Sequence, residues 1–193
     1  MALLQREYLI PVGAASSRDC LLSVSCFIKY VVQFPMVKKM PEIEPRHKSL
    51  RQGRYNGLGF YYFLTTVTKD RKPLFVEHAP AMIVLNSLKW LDHNDKMKLI
   101  TAVVMPDHIH FIAQLENTSL AGLMHSLKSY TANEINKVLG RRGHVWEKQY
   151  YERGIKGENA LNELILYCLE NPVRKGLVNN CREYEYWYCA YEL

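Results

Sequence analysis

"MKLITAVVMPDHIHFIAQLE", residues 97–116, holds two apolar runs of strand length either side of Pro106-Asp107. β-branched and apolar residues fill both runs, and the Pro-Asp step interrupts them. The stretch therefore reads as a hairpin of two buried strands, 97–105 and 108–116. Its conspicuous polar residues are His108 and His110. Residues i and i+2 of a strand project to one side, so the two imidazoles point together while Ile109 points the opposite way. Two imidazoles so placed can share one metal ion. They read equally as ordinary half-buried histidines, since a bare H-x-H occurs in unrelated folds.

Outward from the hairpin the pattern stays regular. "FYYFLTTVT" (60–68) is aromatic and β-branched, a strand. "APAMIVLNSLKWLDHN" (79–94) puts Met82, Leu85, Leu88 and Leu91 at helical spacing. "TSLAGLMHSLKSYTANEINKVLG" (118–140) places Leu120, Leu123, Met124, Leu127, Ile135 and Val138 on one helical face, and Gly140 suits its C-terminal cap. "HVWEKQYYERGI" (144–155) reads as a strand. "ENALNELILYCLEN" (158–171) reads as a final helix that Pro172 is expected to terminate. The order β-α-β-β-α-β followed by a helix predicts an α+β, ferredoxin-like plan: an antiparallel sheet with two helices on one face. The added helix must pack elsewhere, such as on the other face.

The totals bound the rest. A chain of 193 residues suits one domain with an extension rather than two full domains. With 48% hydrophobic and 23% charged residues, the composition is that of an ordinary globular protein. Lys and Arg number 25 against 19 Asp and Glu, a net charge of +6, which by itself only leans toward a polyanion such as nucleic acid. The five cysteines form no C-x-x-C pair, so reduced thiols in a cytoplasmic protein are expected. "LLSVSCFIKYVVQF" (21–34) is too short to span a bilayer and carries Lys29; no membrane or targeting segment is read. Composition turns polar and basic near Met36. Residues 1–35 read as an appendage, or as a genuine extra element, ahead of a single domain over 36–193.

The final helix offers further chemistry. Tyr167 and Asn171 are four apart and share a face. Asn supplies a neutral carbonyl oxygen suited to Mg²⁺ or Mn²⁺, and Tyr supplies a phenol that can act as a nucleophile. Singly, Tyr167 reads as a half-buried aromatic and Asn171 as a helix-terminal polar residue.

Taken together, "MPDHIHFIA", "SLKSYTANEINKVLGRRGHVWEKQYYE" and "YCLENPVRKGLV" resemble the single-tyrosine HUH transposases, and more narrowly the REP-associated tyrosine transposases of bacteria. The likeness runs from about Arg46 to Val178, with the three motifs in the family's order. It implies a metal-dependent, single-stranded DNA endonuclease and strand-transferase with a Mg²⁺ or Mn²⁺ cofactor. Carried over by motif, His108, His110 and Asn171 are the metal ligands. Tyr167, on the added C-terminal helix, is the nucleophile that forms a 5′-phosphotyrosine. Insertion-sequence relatives usually carry Gln where this chain has Asn171, whereas the REP-associated branch resembles it in using Asn. Phenols titrate near 10, so some group must take the tyrosine proton; the sequence does not show which.

The implied partner is single-stranded DNA beside a hairpin, a repeated palindromic element, bound by a monomer or a homodimer. Trp146 and Tyr150, with Tyr151, alternate with Lys148 and Arg153, so the strand reads as a stacking and phosphate surface. Lys128, Arg141, Arg142, Arg174 and Lys175 extend a basic track. Strand alternation would turn about half of the aromatics into the core. Two other functions compete: a host-retained protein that binds hairpins with weak or no catalysis, and an unrelated H-x-H metal enzyme.

Overall fold

The computed structural model describes residues 60–191; the extension expected over 1–35 and the break at Met36 lie outside them. Among the described residues the protein is a mixed α/β structure with a five-stranded antiparallel sheet and three α-helices. The elements are β1 (Tyr61–Val67), α1 (His78–His93), β2 (Met97–Met105), β3 (His108–Leu115), α2 (Leu120–Val138), β4 (Tyr151–Gly154), α3 (Glu158–Arg174) and β5 (Trp187–Cys189). The strand order is β4-β1-β3-β2-β5, and every neighbouring pair is antiparallel.

The Pro106-Asp107 turn sets the register of the central hairpin, pairing Met105 with His108 and Val103 with His110. Alternation then sorts the side chains. Tyr62 and Leu64 of β1, Ala102 and Val104 of β2, and Ile109, Phe111 and Ala113 of β3 share one buried cluster with Val84, Leu85 and Leu88 of α1 and Leu123, Met124 and Leu127 of α2. Each such fully buried aliphatic side chain contributes about 1.5–3 kcal/mol. The opposite face of β2 and β3 receives α3, whose buried stripe is Leu161, Ile165, Cys168 and Leu169. A bulge between Leu99 and Thr101 makes Ile100 an extra residue in β2. Leu99 and Ala102 consequently face the same layer, although two regular strand residues three apart would not.

Four sequence expectations need correction. The strand expected over 144–155 is only Tyr151–Gly154. Before it, the chain pairs just past the end of β1 through one isolated bridge, Trp146 to Thr68. Two backbone bonds, Lys69 N–H to Val145 O and Glu147 N–H to Val67 O, flank that bridge, and a side chain adds to them: Lys128 Nζ donates to the carbonyls of Glu147 and Lys148 at 2.6 and 3.2 Å. Pro172 lies inside α3 rather than ending it. A proline so near the C-terminus removes one intrahelical bond, and two more residues stay helical. Gly176 makes the stop: at φ 68° its N–H reaches Val173 O while the Leu177 N–H reaches Pro172 O. That paired capping pattern requires a left-handed residue. Gly140, at φ 58°, ends α2 in the same way, as expected. Val138 is half exposed and off the buried face of its helix, where Thr131 is buried instead. Finally, β5 was not foreseen; it pairs with β2 and is anchored by Tyr184, whose hydroxyl donates to Val104 O at 2.7 Å.

Candidate active site

His108 and His110 project from β3 on the side that carries α3, opposite in parity to Ile109 and Phe111 of the main core. Their ring centres lie 4.7 Å apart. The Nδ1 atom of each is engaged. His108 Nδ1 is 2.5 Å from Asp107 Oδ1, and Asp107 is in turn paired with Arg71 at 3.2 Å. His110 Nδ1 is 2.7 Å from Thr65 Oγ1, directly across the β1–β3 ladder. Such partners fix ring orientation and leave Nε2 of each ring as the nitrogen able to bind a metal.

The electrostatics agree. Burial, and then the neighbouring His108, push the His110 imidazole down to about 3, with Asp107 opposing. His110 is therefore neutral at physiological pH, the form that can donate a lone pair to a metal. Burial raises the Asp107 carboxyl, but the His108 hydrogen bond and the Arg71 guanidinium outweigh it and hold it below the usual carboxylate range.

The final helix delivers Tyr167 to this pair. Its ring meets His110 edge-on at 5.6 Å and Phe63 edge-on at 5.9 Å. Phe63 also stacks on His110 at 5.4 Å, so Phe63 is the apolar wall between the strand and the helix. The Arg174 guanidinium lies over the Tyr167 ring at 4.8 Å. Asn171, one turn after Tyr167, is buried; its Nδ2 donates back to Tyr167 O at 3.3 Å, so Oδ1 is the atom it can offer a cation. Among the described residues no cluster of three His, Cys, Asp or Glu side chains converges to hold a metal. The donor types nevertheless suit a hard divalent ion: two imidazole nitrogens and an amide oxygen.

The expected DNA-contacting residues divide. Trp146 is buried, not a surface ring: it packs on Phe75 at 5.2 Å, and its indole N–H donates to Thr131 Oγ1 at 2.9 Å. Lys128 is likewise turned to structural use at Glu147 and Lys148, beside the Tyr150 ring, and Tyr150 is partly buried against the core. Arg141 donates to His144 O. Arg142, Lys148 and Arg153 are exposed. Tyr151 is 56% exposed and edge-on to Phe63 at 6.4 Å; in register opposite Thr65, it shares the face of the histidines.

Sequence reasoning missed Asp107, Thr65 and Arg71 as supports. Asp107 adjoins His108 and was findable, whereas Thr65 needed the cross-strand register. Arg174 follows Tyr167 by two helical turns, a spacing visible in the sequence but not used.

The family model described as "Transposase IS200 like" matches residues 58–167. A Haemophilus influenzae protein assigned to the REP-associated tyrosine transposases is 23% identical over 140 residues, 66% of this chain and 78% of that protein. A solved REP-associated tyrosine transposase bound to a REP hairpin shares the fold, with a TM-score of 0.57 at 17% identity over 72% of this chain and 82% of the other. Among the described residues no helix is long and apolar enough to cross a membrane.

Proposed function

We propose, for a chain that belongs to the IS200-like transposase family, that it nicks and rejoins single-stranded DNA beside a hairpin through a covalent bond to Tyr167. The observation that carries this is the edge-on approach of the Tyr167 ring to His110 at 5.6 Å, which brings a phenol to a paired imidazole site. The hairpin comes from the structural relative, which is bound to one. The strand order β4-β1-β3-β2, with α1 and α2 on one face, supports a ferredoxin-like reading in which α3 brings the tyrosine from the other.

The residues divide the work. His108, His110 and Asn171 would hold the divalent metal, and Asp107 and Thr65 keep the two imidazoles oriented for it. Once bound, a Mg²⁺ or Mn²⁺ supplies Lewis-acid polarisation of the phosphate. Tyr167 Oη loses its proton and forms a bond to phosphorus. The P–O3′ bond breaks, and O3′ leaves with the bonding pair and takes up a proton. A 5′-phosphotyrosine and a free 3′-hydroxyl result. Attack by a second 3′-hydroxyl on the same phosphorus breaks the P–Oη bond and returns a proton to the phenol. One phosphodiester replaces another, so joining needs no ATP.

The test is incubation of labelled hairpin-bearing single-stranded DNA with Mn²⁺, followed by denaturing electrophoresis. Wild type should give a covalent adduct. Tyr167→Phe loses one oxygen and should fold and bind DNA normally while giving none. An adduct that persists in Tyr167→Phe removes Tyr167 from the role. Tight binding with no wild-type adduct would favour a hairpin-binding protein without catalysis.

A further inference from the structure

Arg174 is the last residue of α3 and is exposed, yet its guanidinium lies over the ring of the residue read above as the nucleophile. Two other arginines have different work. Arg71 is held by Asp107, and Arg141 donates to a backbone carbonyl. Among the described residues no ion pair includes Arg174. A guanidinium that lies over an aromatic ring still has its N–H donors at the edge of its plane, in the geometry that suits a phosphate. The helix puts Tyr167, Asn171 and Arg174 on one face, at i, i+4 and i+7.

The charge inventory points the same way. Attack on a phosphodiester gathers negative charge on the non-bridging oxygens as the phenol gives up its proton. Asn171 carries no charge. Arg174 is a permanently cationic side chain that lies over the attacking ring. We propose that Arg174 is a further catalytic residue, which receives a non-bridging oxygen of the scissile phosphate as Tyr167 attacks. The proposal rests on the tyrosine reading above.

A purely structural arginine would steady the ring whatever the phosphate carries, and the experiment separates the two roles. The cleaved position is first mapped with wild type. Adduct formation is then timed at saturating DNA for wild type, Arg174→Ala and Arg174→Lys. Two oligonucleotides are compared: one natural, the other with a neutral methylphosphonate at the cleaved position. On natural DNA, Arg174→Ala should slow adduct formation by about 10²-fold or more, the scale for losing one preorganised donor to a developing oxyanion. Arg174→Lys should regain part of the rate. On the methylphosphonate the difference between wild type and Arg174→Ala should shrink to a few-fold. An equal loss on both oligonucleotides would show that Arg174 only positions the ring. Weaker binding with an unchanged saturated rate would make it a general backbone contact. Either result overturns the proposal, as does no loss at all. A wild type that forms no adduct removes the tyrosine reading and this one with it. If Arg174→Ala fails to fold, Arg174→Lys carries the same comparison, because it replaces the fork with a point charge.

Discussion

At the scale of single residues, Trp146 and Tyr151, both read as stacking aromatics, have parted: one is buried and the other exposed. Trp146 fills the core and donates to Thr131, so Trp146→Ala should destabilise the protein by about 3–5 kcal/mol. A thermal or denaturant melt reads this, with DNA affinity per folded molecule unchanged. Tyr151 stands exposed beside Phe63. Tyr151→Ala should leave stability within about 0.5 kcal/mol and weaken binding of hairpin-bearing single strands roughly tenfold, the value of one stacked base. Wild-type affinity in Tyr151→Ala would show that bases stack elsewhere. The sequence could not separate the two rings. Alternation has a phase only within a ladder, and the chain before β4 is held by Lys128 from a distant helix. The histidines were legible because i and i+2 share a face in any strand. Thr65, which supports His110, was not, because the β1–β3 register is a tertiary fact.

At the scale of elements, the helices were legible from their apolar spacing, while the ends and the tail were less so. Pro172 misled because proline stops a helix interior more strongly than a last turn; Gly176 carried the true stop signal. The three-residue β5 has too short a pattern to be read at all. Its anchor can be tested by pH. Burial, with Tyr186 adding, pushes the Tyr184 phenol up to about 12. An unfolded phenol ionises near 10. Between these values the unfolded chain releases a proton that the folded chain keeps, so this group's contribution is full below pH 10 and is lost as pH rises toward 12. Denaturant unfolding at pH 9, 10 and 11 should show a decline that is smaller in Tyr184→Phe. An identical decline would place the alkaline sensitivity elsewhere.

At the scale of the whole molecule, the sheet keeps two jobs apart. One face, covered by α1 and α2, holds the main core; the other, covered by α3, carries the histidines and tyrosine. The element order up to α3 was readable, but the fifth strand beside β2 was not. The net charge of +6 belongs to this scale. Affinity for single-stranded DNA should fall linearly in log–log terms with salt, by about 0.7 per neutralised phosphate. A titration between about 50 and 200 mM salt reads the slope. A flat line would mean that stacking, not phosphate contact, dominates binding.

The bulge at Ile100 is one residue of slack in β2. Removing it would leave an unbroken ladder, Leu99 opposite Ala113 and Thr101 opposite Ile112, the pairs that already exist on either side. β3 has no such reserve against β1, where the pairing is continuous from Gln114 to His108. Deleting Ile100 should therefore lower the melting temperature, through loss of a buried side chain, yet preserve the adduct. Deleting Ile109 should abolish the adduct in whatever protein still folds, because His108 and His110 would then be neighbours on opposite faces. Tolerance to changes of chain length is thus assigned to one strand of the hairpin and denied to the other, and the intolerant strand is the one that holds the histidines.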